Sequence, residues 1–71
     1  MRLSPKELRV LTLVALGYSD KMIGSKLKIA YTTVRCHVDK VVLKLNARNR
    51  THAAIIYMSK NPDWLFNIRE G

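Results

Sequence analysis

The sequence predicts an all-α fold, a compact four-helix domain containing a helix-turn-helix. Three observations carry that prediction. Apolar residues recur at helical rather than alternating spacing along most of the chain. Stretches of that kind open on Ser4, Ser19 and Asn49 and close near Gly17, Asn46 and Pro62, residue types that start and stop helices. In the middle, two helical stretches are separated by only about three residues, the second longer than the first.

Size and composition narrow the class. Seventy-one residues make one domain over 1–71, near the size where chains bury only about 60% of their unfolded surface. A single cysteine excludes an internal disulfide and fits a reducing compartment. No apolar run approaches the roughly 20 residues of a membrane span, and the N-terminus has no signal-peptide core, so the expected location is the cytoplasm, away from membranes. The formal charge is +8. The whole excess lies between residues 21 and 60, where nine Lys and Arg stand against Asp39 alone. A basic patch of that kind attracts polyanions.

The elements follow in order. Ser4 caps the first helix, Pro5 takes its first position, and Glu7 closes a capping box, with Leu3 and Leu8 at the staple positions. Leu8, Leu11, Val14 and Ala15 form its inward stripe, and Gly17 ends it in a left-handed conformation. Ser19 caps the second helix, Asp20 suits its dipole, and Tyr18 staples onto Ile23. Gly24 inside that helix costs up to about 1 kcal/mol against alanine, which predicts close approach of another helix. Lys28-Ile29-Ala30 makes the turn, with Ile29 as a buried plug.

The third helix covers Tyr31–Leu45. Val34, Val38, Val41, Val42 and Leu45 make one apolar stripe, while Thr32, Arg35, Cys36, Asp39 and Lys40 occupy the other side. Short polar groups ringed by long cations suit a helix reading base edges in a major groove. Asn46 ends the helix, and Asn49 caps a fourth that runs to about Lys60, stopped by Asn61-Pro62. Ala53, Ile56 and Tyr57 are expected in the core, and Ala54, Ile55 and Met58 on an adjacent, exposed apolar side. The tail from about residue 61 is apolar at Trp64-Leu65-Phe66 and Ile68, and is expected to cover the core or to be covered by a partner.

The chain also resembles the LuxR/GerE (FixJ-type) DNA-binding domain of bacterial transcription regulators. The resemblance runs without a gap from residue 3 to about 60, through Leu3-Ser4-Pro5-Lys6-Glu7, Val10-Leu11, Ala15-Leu16-Gly17-Tyr18-Ser19-Asp20-Lys21, Ile29, Thr33-Val34, His37, Lys44-Leu45, Arg48-Asn49-Arg50-Thr51 and Ala53-Ala54. It implies a third helix lying in the major groove of double-stranded DNA and a fourth pairing two copies on a two-fold operator. The base-facing positions fall on Arg35, Cys36 and Asp39. Phosphate contacts fall on Ser19, Lys21, Thr32, Thr33 and Lys44, with Lys40 beside them. Ala54, Ile55 and Met58 are the expected dimer contacts. Because so few residues precede the motif, no sensory domain is expected in this chain.

Four positions depart from the family pattern: Arg9 for an acid, Ala30 for a capping Ser or Thr, Ala47 for a larger apolar residue, and Asp39 for a neutral or basic base-reader. The missing cap at Ala30 either stays missing or passes to Thr32.

Other chemistry is not expected. Cys36 lacks a resolving partner, so an inert thiol is favoured over a redox switch. Cys36, His37 and His52 lack metal-ligand spacing, and His37 is assigned to phosphate contact or packing. No phosphate loop or nucleophile–base pair is present, so neither catalysis nor a cofactor is expected. Arg50 is assigned a structural role, tying helix four to the end of helix three, over a phosphate contact. The resulting expectation is a small sequence-specific regulator acting as a dimer. The rival is a protein-interaction module that antagonises a full-length regulator by forming a mixed dimer through helix four. A weaker third reading is an effector half cut from a longer regulator.

Overall fold

The computed structural model describes residues 2–64. Four helices follow one another, α1 (Pro5–Ala15), α2 (Asp20–Leu27), α3 (Tyr31–Lys44) and α4 (Arg50–Lys60), and no strand occurs among the described residues. α1 packs against both α3 and α4, and α2 packs on α3 to complete the helix-turn-helix.

The local signals explain the boundaries. Glu7 N donates to Ser4 Oγ at 3.2 Å and Ser4 N donates to Glu7 Oε1 at 2.8 Å, a closed capping box. At the far end of α1, Gly17 takes φ +91°, with Tyr18 N bonded to Leu13 O and Gly17 N to Val14 O. Those two bonds make a Schellman stop. Asn46 does the same for α3 at φ +54°, its successor Ala47 reaching back to Val42 O. α2 ends on Lys28, also left-handed at φ +60°, and Ile29 N closes onto Gly24 O at 2.9 Å. Asn49 Oδ1 caps α4 through His52 N at 2.8 Å, and His52 Nδ1 in turn accepts from Arg48 N.

α3 begins on Ala30 with no side-chain cap; Thr33 N and Val34 N both fall back on Ala30 O, and Thr32 does not supply the missing group. Ala30→Ser should therefore stabilise the domain by about 1 kcal/mol in urea or thermal unfolding. No gain in stability would mean that a serine hydroxyl at this position finds no amide to accept from.

The core has two parts. Val10, Leu13, Ile23, Val34 and Val38 form one between α1, α2 and α3. Leu11, Val41, Ala53, Ala54 and Tyr57 form the other between α1, α3 and α4, with Leu3, Leu45, Met58 and Trp64 packed around it. Val14 and Val42 touch both.

Two expectations need correction, and a third is made specific. The inward side of α1 is wider than the predicted stripe: Val10 and Leu13 are buried, whereas Leu8 is 38% exposed. α1 is covered on several sides, and its Thr12 is buried beneath Tyr57, the two hydroxyls 3.1 Å apart. Leu8 lies one turn before that cover. Ala54 is also buried, at 5% exposure, not on a free apolar side. α4 is gripped by α1 and α3 together, so its buried arc takes in Ala53 and Ala54, while Ile56 is only half-buried. The close approach expected at Gly24 is made by the backbone of the turn and of the first residue of α3: a Cβ there would lie 2.7 Å from Ile29 O and 3.3 Å from Tyr31 N. Trp64 packs on the second core cluster; the remainder of the apolar tail, including Leu65, Phe66 and Ile68, lies outside the described residues.

Candidate nucleic-acid interface

α3 buries Val34, Val38 and Val41 and turns its other side outward. Thr32, Arg35, Cys36, Asp39 and Lys40 are all exposed, and their spacing of three and four residues sets them in one continuous stripe. Leu43 extends that stripe at 82% exposure, and Tyr31 stands at its start at 47%. Neither was singled out from the sequence, although Leu43 falls off the Val34–Val38–Val41–Leu45 spacing and Tyr31 precedes it. Thr33 is exposed on the first turn of the same helix, and Ser19 and Lys21 are exposed at the start of α2. The Ser19 hydroxyl accepts from Met22 N at 3.2 Å, which leaves its own proton for an outside acceptor. Lys26 Nζ lies 5.8 Å from the centre of the Tyr18 ring, covering the residue that packs against the Ile23 cluster.

One cation leaves the predicted surface set, and a second keeps its structural role with a different partner. Lys44 Nζ lies 2.7 Å from Glu7 Oε1 and 3.4 Å from Arg2 O, with its side chain 25% exposed. The expected phosphate contact is thus an ion pair joining α3 to the start of α1, where the buried Glu7 carboxylate needs a cation. Its hydrogen bond from Lys44, followed by the Ser4 amide, holds the Glu7 carboxyl below its ordinary value against the opposing effect of burial. Arg50 forms a two-bond fork on Asp20, Nη1 to Oδ1 at 2.6 Å and Nη2 to Oδ2 at 3.1 Å. Its structural role stands, but its partner is the start of α2, not the end of α3. The fork lowers the Asp20 carboxyl and raises the Arg50 guanidinium from their ordinary values.

His37 is half-buried on α3, its Nδ1 enclosed without a hydrogen-bond partner among the described residues. No cluster of three or more His, Cys, Asp or Glu suited to a metal ion occurs among the described residues. No helix there is long and apolar enough to cross a membrane. Cys36 is an exposed thiol.

An exposed helix of this kind, carried by a two-helix unit with a closed turn and flanked by cations, is the geometry of a major-groove reader. Residues 1–57 match the family model described as bacterial regulatory proteins, luxR family. The chain belongs to the LuxR family. Over 53 residues it is 42% identical to the transcriptional regulatory protein DegU of Brevibacillus brevis, an alignment covering 75% of this chain and 22% of that protein. Over 59 residues it is 37% identical to the response regulator protein VraR of Staphylococcus aureus, covering 83% of this chain and 28% of that one. The alignments thus span about a quarter of the length of these relatives. A LuxR-family helix-turn-helix is a DNA-binding element of transcription regulators, not an enzyme. In this LuxR-family domain α3 is the helix that turns a continuous stripe of exposed polar and charged side chains outward.

Proposed function

We propose that this domain reads a specific duplex sequence through α3 and does so as a pair of copies. The observation that carries the reading is the α3 stripe itself: Arg35, Cys36 and Asp39 lie outward in its middle, and Arg35 makes no hydrogen bond or ion pair with any described residue. An arginine so placed has its whole donor fork available for a guanine edge. Ser19, Lys21, Thr32, Thr33 and Lys40 surround it as phosphate contacts. Arg35→Ala should cost about 1–3 kcal/mol on the best site and relax preference at one base pair, whereas Lys21→Ala and Lys40→Ala should weaken all sequences alike. With two copies bound, the log–log salt slope should be at least roughly −4 in magnitude. Equal losses on matched and mismatched duplexes would make Arg35 a phosphate contact; a flat salt response would remove the DNA reading altogether.

With Ala54 inside and Met58 leaning on the core, Ile55 is the exposed member of the predicted pairing surface, at 52%. Thr51 and Ser59, one turn to either side, are exposed and small enough to let a second helix approach. So narrow a patch supports pairing on DNA rather than in free solution. Ile55→Lys should weaken occupancy of a two-half-site duplex several-fold more than that of a single half-site. Equal losses on the two duplexes would rule out α4 pairing. The rival reading, capture of a full-length regulator in a mixed dimer, uses the same Ile55 surface but no groove contact. Selection of bound sequences from random duplexes separates the two, because only the first enriches a two-fold motif.

A further inference from the structure

Leu43 is the most exposed large apolar side chain among the described residues, at 82%, and it lies in the last turn of α3. A single exposed leucine is ordinary on a protein surface. Its register on α3 is what sets this one apart. With helix residues about 100° apart, the direction opposite the mean of the buried Val34, Val38 and Val41 falls within about 10° of Leu43. Cys36 and Thr32 lie closest to the same direction on the earlier turns, and both are exposed. Leu43 therefore continues the middle of the outward stripe, two turns beyond Cys36 and one beyond Asp39. The cations of this end of the helix do not occupy that line. Lys40, one turn back, is exposed on its flank, and Lys44 is held by Glu7 Oε1 at 2.7 Å. The outermost group of the last turn is an isobutyl side chain.

We propose that Leu43 is a further specificity-determining residue, placed to meet the 5-methyl group of a thymine, and that α3 accordingly lies along the major groove over its full length. In that groove the methyl group sets thymine apart, and apolar side chains are what contact it. At about 1.5 Å of rise per residue, Leu43 lies about 6 Å along the helix axis from Asp39, or roughly one to two base-pair steps. A reading helix that left the groove at its C-terminal end would aim this turn at phosphates or water, where a cation gains and a leucine does not. The inference rests on the assignment of α3 to base reading, and deepens it.

The experiment takes the best duplex selected by the parent protein and exchanges each thymine in turn for deoxyuridine, which pairs alike and lacks only the methyl. The parent should lose roughly threefold in affinity at one thymine of each half-site, the worth of one apolar contact of methyl size. Leu43→Ala should bind the thymine and deoxyuridine duplexes equally, and Leu43→Met should again tell them apart. Arg35→Ala, by contrast, should still respond to the methyl. Leu43 is so exposed that Leu43→Ala should unfold in urea at the parent's midpoint, so a changed preference reports the contact and not the fold. A parent indifferent to every thymine methyl, with its Arg35 preference intact, would overturn the proposal and leave the base reading standing. Equal methyl losses in the parent and in Leu43→Ala would overturn it too, since another side chain would then make the contact. So would a Leu43→Ala defect confined to two-half-site duplexes, which would put Leu43 between the two copies. No sequence preference in any form of the protein would remove this proposal together with the reading beneath it.

Discussion

Lys44→Ala should cost the domain roughly 3 kcal/mol of stability while leaving the DNA affinity of the folded molecules nearly unchanged. Glu7 is 4% exposed, and its Oε1 accepts from both Lys44 Nζ and the Ser4 amide. Removing the lysine leaves a buried carboxylate with one amide in place of a cation, the situation in which broken pairs are most costly. The same pair sets an acid limit. Because the folded-state pKa of Glu7 is depressed, its contribution is complete above the ordinary value of 4.5 and disappears as the pH falls through the lower folded value. Asp20, lowered from 3.8 chiefly by its Arg50 hydrogen bonds, adds loss in the same direction. Urea unfolding at neutral pH and near pH 4 should show the parent losing stability on acidification and Lys44→Ala losing less of it. Unchanged stability together with weakened binding to all duplexes would return Lys44 to the phosphate contacts.

Gly24→Ala is expected to be nearly as damaging. The atoms that a new Cβ would meet, Ile29 O at 2.7 Å and Tyr31 N at 3.3 Å, are backbone and cannot turn aside. Alanine gains up to about 1 kcal/mol as a helix former, but crowding of this kind costs up to about 3 kcal/mol. The net loss of about 2 kcal/mol should lower the melting temperature by about 10 °C. Gly17→Ala is the useful comparison. A Cβ there meets nothing within 4 Å, so only its φ of +91° is violated, at a cost of about 1 kcal/mol. If both alanines cost the same, the close approach at Gly24 is not what restricts that position.

Much of this architecture is legible in the sequence because its signals are local. Ser4, Ser19 and Asn49 lie within three residues of the amides they cap. The two sides of α3 follow from the spacing of its valines, so the outward positions of Arg35, Cys36 and Asp39 could be read directly. What could not be read depends on which helix covers which. The residues of the Lys44–Glu7 pair are 37 apart and those of the Arg50–Asp20 pair 30 apart, and no periodicity names either partner. Ala54 is similar: a methyl side chain adds little to an apolar stripe, and only the joint cover of α1 and α3 places it inside.

Val14 and Val42 belong to the packing of both core clusters, so neither half of the molecule has a boundary of its own. Opening α4 strips contacts from the same two valines that also pack against the Val10–Leu13–Ile23–Val34–Val38 cluster. Among the described residues the packing of the reading helix is thus shared with that of α4, and the two are expected to open together. In hydrogen exchange, the slowest amides of α2 and α4 should report one shared opening. An influence brought to α4 by a second copy would then reach α3 as a change in how often the whole unit opens, without any movement of one helix over another.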